Sequence, residues 1–329
     1  MAAAIRDLLS LREISPMHFE SVCFPEKMGN TADQAYGGYT LAIAVNAALQ
    51  TVPSKFHLYT AMGNFLGPAF VDRTLHCSVR SLRTTKTFAT RLIEVSQIRD
   101  DGQSRLCLFM TADFHIQEPH TLLTYSRRPK AEVSHVQDSP TTEENLNTLF
   151  ERGTINEQDV RIHKKLFKLE ERLFERRTCP ESIMTQNFAG AARRGTTTTQ
   201  DHLPLPDKTS ADYFRVKHHL ETPAEHMAAL AFVMDMGISF LPLVHSGSSL
   251  TEAGVQSSLD FAIRVFIHGG EGGVDLNAWN LREMSTVTGG EGRTYTEARV
   301  WDEKGRMVCN MTQQCILRPK LKVEEKAKI

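Results

Sequence analysis

The sequence lacks several patterns that identify common classes of protein. Its 329 residues carry a net charge of −1, so no overall electrostatic field favours nucleic acid or an anionic membrane. No apolar run approaches the length of a membrane span, and the first residues lack the charged start and apolar centre of a signal peptide. We therefore expect a soluble intracellular protein that has no nucleic-acid partner and no membrane span.

Motifs for metal and cofactor chemistry are also missing. The six cysteines form no C-x-x-C pair, which argues against a zinc site and against a disulfide framework. The thirteen histidines show no metal-binding spacing on a helix, and the G-x-S-x-G elbow of serine hydrolases is absent. We expect neither a metal nor a cofactor. A dinucleotide-dependent, metal-dependent or serine-hydrolase enzyme has little support.

Two halves of similar plan lie on either side of a polar middle segment. The small and apolar residues 40–50 predict a buried helix, and a second apolar helix follows Thr222. Each helix precedes a series of strand-like segments, which are 75–82, 88–98 and 105–116 in the first half and 255–268, 279–288, 294–301 and 306–317 in the second. The repeated order indicates an internal duplication.

The middle of the chain has a different composition and is interpreted as a connector without recognisable chemistry. Residues 157–177 are highly charged, with leucine and isoleucine at helical spacing, and predict one amphipathic helix. We divide the chain into an N-terminal domain at 1–118, a charged helical connector at 119–205, and a C-terminal domain with a short tail at 206–329.

One carboxylate, Asp235, lies on the otherwise apolar second helix. Thr222, Pro223 and Glu225 predict the start of that helix, as a cap, a first helical residue and the partner in a capping box. A buried charge is costly unless it is hydrogen-bonded or paired. Asp235 is therefore either a structural carboxylate bound to backbone N–H groups or a general base that orients water, and this segment alone leaves both open.

Several segments in order resemble the acyl-CoA thioesterase II family. Tyr36-Gly-Gly-Tyr39 before a small-residue helix is similar to the start of that family's first helix. The resemblance covers most of both halves and little of the middle, and its further segments are Phe65–Pro68, Arg83–Arg91, Phe109–Phe114, Ala231–Asp235, Ser258–Asp260, Asn277–Trp279, Gly292–Arg293 and Val308–Gln313.

The resemblance implies an α+β double hotdog, in which two long helices are each wrapped by an antiparallel sheet and the sheets join side by side. It also implies hydrolysis of acyl-CoA or a related acyl thioester. The family's water-orienting triad falls on Asp235, Ser258 and Gln313. Backbone N–H groups at the helix start, in the segment Gly37, Gly38 and Tyr39, are the expected substrate contact and suit a developing oxyanion.

The chain departs from the family pattern around this triad. Phe261 stands where His is frequent, Gly67 where Arg is frequent and Tyr39 where Gln is frequent. These departures leave two alternatives. One is a lyase or cyclase that acts on a polyketide-like or carrier-bound substrate. The other is a catalytically silent acyl-binding protein.

The last three residues, Ala327-Lys328-Ile329, resemble a weak variant of the Ser-Lys-Leu peroxisomal address. An ordinary frayed tail is the alternative interpretation. The expected location is therefore cytoplasmic or peroxisomal. Exposed sheet edges and faces are compatible with a homo-oligomer, whose subunit number the sequence does not reveal.

Overall fold

The structure is a computed structural model that describes residues 3–30, 32–192, 196–248, 252–268 and 273–320. Its helices are α1 Ile5–Leu8, α2 Gly37–Leu49, α3 Thr142–Glu151, α4 Glu157–Leu166, α5 Lys168–Leu173, α6 Ile183–Gln186, α7 Pro223–Met234 and α8 Leu241–Ser246. Its strands are β1 Leu11–Ser15, β2 His18–Ser21, β3 Phe56–Phe65, β4 His76–Thr84, β5 Phe88–Ile98, β6 Ser104–Ile116, β7 Phe174–Thr178, β8 Ser210–Val216, β9 Ala253–Ser258, β10 Asp260–Val265, β11 Asn280–Gly290, β12 Arg293–Trp301 and β13 Met307–Pro319.

The strands form one antiparallel sheet whose two ends repeat each other. The order is β1-β2-β4-β5-β6-β3 in the first half and, read inward from the other end, β7-β8-β11-β12-β13-β10 in the second. The halves meet where β3 pairs with β10, and β9 continues β10 along the edge of β13. This arrangement is the double hotdog that the resemblance implied.

The strand register shows the internal duplication residue by residue. Met62 pairs with Ala262 across the junction between the halves, and these two residues pair in turn with Thr111 and Thr312. The register shifts by one residue at Tyr59 in the first half and between β9 and β10 in the second. Because the bulge recurs at the same place, the two halves share local backbone geometry as well as topology.

The two long helices pack on each other inside the sheet. Gly38 permits this approach, because a Cβ at that position would lie 2.6 Å from the Phe232 carbonyl oxygen of α7. The Tyr36 hydroxyl donates a 2.8 Å hydrogen bond to the same oxygen. The predicted start of α7 is confirmed, since the Thr222 hydroxyl accepts from the Glu225 N–H and the Glu225 carboxylate accepts from the Thr222 N–H.

Two predicted elements are wrong in their extent. Residues 157–177 form helices α4 and α5, separated at Phe167, and then enter strand β7. β7 pairs with β8 along its whole length, so a ladder of backbone hydrogen bonds overrides the local preference for helix. The predicted strand 255–268 is two strands, because the bulge at Leu259 interrupts it.

Strands β1, β2, β3, β7 and β8 were not predicted as strands. They complete the two ends and the centre of the sheet. The domain boundaries after residues 118 and 205 stay predictions. In the described part of the chain, no helix has the length and hydropathy of a membrane span.

Candidate active site

Asp235 lies at the end of α7, one residue beyond its last helical residue. Gly237 follows with φ of +82°, a left-handed conformation that stops the helix. The residue is 6% exposed. It therefore stands at the negative end of the helix dipole, where charge is disfavoured without donors from elsewhere.

Those donors come from three elements. Gln313 on β13 donates from Nε2 to Asp235 Oδ1 at 2.7 Å. Burial raises the pKa of Asp235. Hydrogen bonds from the Gln313 side chain, the Gly38 backbone and the Ser258 hydroxyl partly offset this rise, and the resulting pKa is about 6. The carboxyl group consequently changes its protonation state close to neutral pH.

A cavity of about 820 Å³ opens beside this carboxyl group. Asp235 and Ser258 both line the cavity. Gln313 is fully buried behind Asp235, where its own Oε1 accepts from the Cys315 thiol at 3.4 Å. The structure thus brings the three predicted catalytic residues together, with Asp235 and Ser258 facing the cavity and Gln313 bound to Asp235 from behind.

The three predicted substrate-binding residues have different positions. Gly37 lines the cavity, and a Cβ there would lie 2.9 Å from Asp235 Oδ2. Gly38 contacts the carboxyl group through its backbone. The Tyr39 side chain instead lies in the core, where its hydroxyl donates to the Leu8 carbonyl oxygen at 2.6 Å. The geometry gives no support to a substrate contact by the Tyr39 side chain, because this side chain lies on the face of α2 that is buried in the core.

Arg282 is a cavity residue that the sequence analysis missed. It is 1% exposed, and its Nη1 donates to the carbonyl oxygens of Val233 and Met236 at 2.9 and 3.0 Å. It therefore adds a side-chain donor to the carbonyl groups at the end of α7, beside Asp235. An arginine on a strand is ordinarily exposed, so no local pattern in the sequence indicated this position.

The Arg282 guanidinium belongs to a buried ionic network. Its Nε and Nη2 donate to the two oxygens of Asp212, each at 3.0 Å. Arg176 also binds Asp212 and pairs with Glu170. Two arginines and two carboxylates compensate one another, which is the condition for burying charge at acceptable cost.

The middle segment contributes to the cavity wall. The cavity is lined by His163 and Leu166 of α4, by Phe167 between α4 and α5, by Glu170 of α5 and by Arg176 of β7. The middle segment therefore contributes side chains to the cavity wall as well as connecting the two halves. Its strand pairing with β8, which local periodicity does not reveal, brings it against the second half of the sheet.

The structure also accounts for two departures from the family pattern. A Cβ at Gly67 would lie 2.5 Å from an Arg105 Nη atom, so the Arg105 guanidinium occupies the space of the missing side chain. Phe261 packs against Phe65, with ring centroids 5.4 Å apart. Among the described residues, no three His, Cys, Asp or Glu side chains converge as metal ligands would.

Comparisons with known proteins identify the family and the fold of the chain. Profiles of two domain families match, the acyl-CoA thioesterase N-terminal domain at residues 24–115 and the acyl-CoA thioesterase C-terminal domain at residues 172–317. No curated protein sequence gives a significant match.

Three solved structures illustrate the shared fold. An acyl-CoA thioesterase II, TesB2, from Mycobacterium marinum is 18% identical with a TM-score of 0.67, and the match covers 96% of this chain and 98% of that one. A TesB protein from Mycobacterium avium subsp. paratuberculosis is 14% identical with a TM-score of 0.66 and the same coverage. A hotdog-fold protein of unknown function from Alicyclobacillus acidocaldarius is 16% identical with a TM-score of 0.66, again covering 96% and 98%. With both domain families matched in order along its length, the chain belongs to the acyl-CoA thioesterase family.

Proposed function

We propose that the protein hydrolyses acyl-CoA to a free acid and CoA, with Asp235 as the general base. The observation that carries this proposal is a buried carboxyl group with a pKa of about 6 on the wall of a large cavity. Such a group is ionised at neutral pH and still accepts a proton readily. The membership of the chain in a thioesterase family supports the same reaction.

The reaction needs one water and no metal. Ser258 and Asp235 hold the water beside the thioester carbonyl carbon, and Gln313 keeps Asp235 in place. The water oxygen bonds to that carbon while Asp235 takes the proton. The C–S bond then breaks, the thiolate leaves and takes the proton back from Asp235, and a carboxylic acid and a thiol result.

The developing oxyanion requires hydrogen-bond donors. Helix α2 begins at Gly37, and the first N–H groups of a helix have no intrahelical acceptor. Gly37 lines the cavity, and the described residues give its N–H no backbone partner. We assign this N–H to the oxyanion, where the positive end of the α2 dipole adds to the stabilisation.

The test is thiol release from a series of acyl-CoA substrates by the wild type and Asp235→Asn. We expect the substitution to lower kcat by about 10²- to 10⁴-fold, as for loss of a general base. Because the pKa of Asp235 is raised, its ionised form disfavours the folded state above about pH 6, so Asp235→Asn should melt no lower than the wild type. The control is Asp113→Asn in the first half, which should keep full activity.

Unchanged turnover by Asp235→Asn would contradict the assignment of Asp235 as the general base. Tight acyl-CoA binding without any turnover by the wild type favours the silent acyl-binding protein. Conversion of a polyketide-like thioester without thiol release favours the lyase or cyclase.

Arg105 supports CoA as the carrier. Its guanidinium lies beside Gly67 of the cavity wall and over the Phe70 ring, 5.3 Å from the centroid, and no described carboxylate pairs with it. A phosphate group is a suitable partner for a free guanidinium. Arg105→Gln should raise KM for acyl-CoA about tenfold and leave KM for the corresponding acyl-pantetheine unchanged. An equal change for both substrates would contradict the phosphate contact.

A further inference from the structure

The Cys315 thiol lies next to the proposed catalytic residues and has no role in the reaction described above. It is on β13 two residues after Gln313, so both side chains point to the same face of the strand. Its sulfur donates to Gln313 Oε1 at 3.4 Å. On the neighbouring strand β9, Ser258 is the residue opposite Cys315. The cysteine is therefore adjacent to two of the three proposed catalytic residues.

The first half of the sheet has an aromatic ring at the equivalent position. Phe114 of β6 and Cys315 of β13 each lie three residues after the equivalent threonines of the two halves. Two residues before them are Ala112 and Gln313, and all four side chains are buried. The large and the small side chain have thus exchanged places between the halves. Cys315 is small where Gln313 needs room, and it adds a polar hydrogen where the first half has none.

The thiol of Cys315 acts as a hydrogen-bond donor and not as a nucleophile. Burial, and then the charge of Asp235, raises its pKa far above the ordinary value for cysteine. The nearby charge of Asp260 acts in the same direction. Because a nucleophilic or redox-active cysteine requires the thiolate, this group offers only its proton to a neighbour.

The neighbour that accepts this proton is the Gln313 amide, whose orientation determines how it acts on Asp235. A glutamine amide has a donor N–H2 group and an acceptor oxygen, which exchange places when the amide turns over. With an N–H toward Asp235 it favours the ionised carboxylate. With Oε1 toward Asp235 it favours the protonated acid, which can donate to it. Gln313 is fully buried, so its Oε1 needs a donor from the protein in either orientation.

We propose that Cys315 is a positioning residue for the hydrolysis, and that its thiol holds the Gln313 amide with the N–H toward Asp235. The inference rests on the proposed function, in which Asp235 is the base. In the absence of the thiol, Oε1 loses its donor, and the amide can regain one only by turning toward a protonated Asp235. Loss of the thiol therefore raises the pKa of Asp235.

Three other titratable groups near Asp235 keep their charge state around pH 6. Burial, and then the charge of Asp235, raises the pKa of Tyr36 well above its ordinary value, so its hydroxyl stays neutral. Burial lowers the pKa of His163 to about 4. Burial raises the pKa of Asp212, but the two arginines of the ionic network outweigh this effect and hold it below its ordinary value. An acid limb close to pH 6 is therefore assigned to Asp235.

The test is the pH profile of kcat/KM for Cys315→Ala, Cys315→Ser and Cys309→Ala. Cys315→Ala should move the acid limb to higher pH by about 0.5 to 1 pH unit and lower kcat at pH 7 about three- to tenfold, with KM within about twofold of the wild type. Cys315→Ser keeps a donor and should lie between the wild type and Cys315→Ala.

The matched control is Cys309, a second fully buried cysteine of β13 whose thiol has no hydrogen-bond partner among the described residues. Cys309→Ala removes the same atom and should leave the acid limb in place. An unmoved limb in Cys315→Ala, an equal shift in Cys309→Ala, or a Cys315→Ser variant identical to Cys315→Ala overturns the inference.

Infrared spectroscopy covers the case in which Cys315→Ala does not fold. A thiol that donates a hydrogen bond has its S–H stretching band at lower wavenumber than a thiol without an acceptor. Gln313→Ala removes the acceptor of Cys315 and should move one S–H band to higher wavenumber. An S–H spectrum unchanged by Gln313→Ala overturns the inference.

An NMR titration separates this inference from the proposed function. The pKa of Asp235 is measured without substrate on protein with isotope-labelled aspartate, and Asp235→Asn assigns the signal. If Asp235→Asn keeps full turnover while Cys315→Ala raises the pKa of Asp235, the proposed function fails and the positioning role of Cys315 stands. If hydrolysis depends on Asp235 but Cys315→Ala moves neither its pKa nor the acid limb, only the inference fails.

Discussion

The two halves of the sheet share a register but differ at the positions where the second half has its polar site. In the strand register of the second half, Ser258 occupies the position that Leu58 occupies in the first half, one residue before the shared bulge. Gln313 likewise occupies the position of Ala112, since each is the residue after the equivalent threonines, Thr312 of β13 and Thr111 of β6. Leu58 and Ala112 are buried and apolar. The duplicated frame therefore provides two equivalent places, and only the second has side chains suited to holding a water.

The helix ends differ in a related way. In the first half, Arg91 on β5 pairs across the sheet with Ala112 and donates to the Thr51 carbonyl oxygen just beyond α2 at 3.1 Å. In the second half the equivalent place holds Thr296, which pairs with Gln313. The arginine that caps α7 comes instead from the neighbouring strand, as Arg282. Moving the guanidinium by one strand leaves room for a carboxyl group beside Gln313.

The largest expected effect is on stability and concerns the arginines at the helix ends, Arg282 and Arg91. Arg282→Met leaves the buried Asp212 with one cation and exposes the end of α7, so it should lower the free energy of unfolding by about 3–5 kcal/mol. Arg91→Met removes bonds to neutral acceptors only and should cost about 1–3 kcal/mol. Urea unfolding at pH 7 measures both.

A second variant isolates the buried charge. Arg282→Met combined with Asp212→Asn should recover part of the lost stability, because no unpaired carboxylate remains. Equal costs for the two single arginine variants would show that the ionic network adds nothing beyond hydrogen bonding.

The next effect concerns activity. Gln313→Ala gives the second half the residue that the first half has at this place, and Asp235 loses its 2.7 Å donor. We expect kcat/KM to fall by about 10- to 100-fold. A base works when deprotonated, so the wild-type rate should be lost as pH falls through about 6. Without the donor the pKa of Asp235 rises further, and this acid limb should move to higher pH.

The pH profile of kcat/KM checks this expectation against Gln314→Ala. Gln314 is the next residue on β13, and its exposed side chain points to the opposite face of the sheet. Gln314→Ala should leave both the rate and the acid limb unchanged. An unmoved acid limb in Gln313→Ala would contradict the role of Gln313 in holding the ionised carboxyl group.

The sequence was sufficient where local chemistry decides the structure. Thr222, Pro223 and Glu225 predicted the start of α7, and the alternating strands 88–98 and 105–116 lie within a residue of their observed ends. The family resemblance then placed Asp235, Ser258 and Gln313, which the structure brings together. A shared order of motifs thus predicted proximity between residues far apart in the chain.

What the sequence could not predict depends on contacts between distant segments. Strand β7 has the composition of a charged helix and becomes a strand only by pairing with β8. Arg282 resembles a surface residue, and its burial depends on Asp212, which is 70 residues away. Tyr39 follows the glycines at the cavity, yet helical rotation carries its side chain into the core. Sequence spacing alone does not reveal such pairings and rotations.

The smallest expected effect concerns Thr296, which occupies in the second half the position that Arg91 occupies in the first. Thr296 is fully buried, and its hydroxyl has no hydrogen-bond partner among the described residues. Thr296→Val keeps the shape and removes this unsatisfied group, so stability should stay equal or rise by up to about 1 kcal/mol. Thr286, opposite Thr296 on β11, donates to the Tyr295 carbonyl oxygen at 3.4 Å, and Thr286→Val should lower stability instead. Urea unfolding measures both, with kcat beside it. If Thr296→Val lowers kcat while stability is kept, the hydroxyl serves the catalytic water, and the site extends beyond the three residues that distinguish the second half from the first.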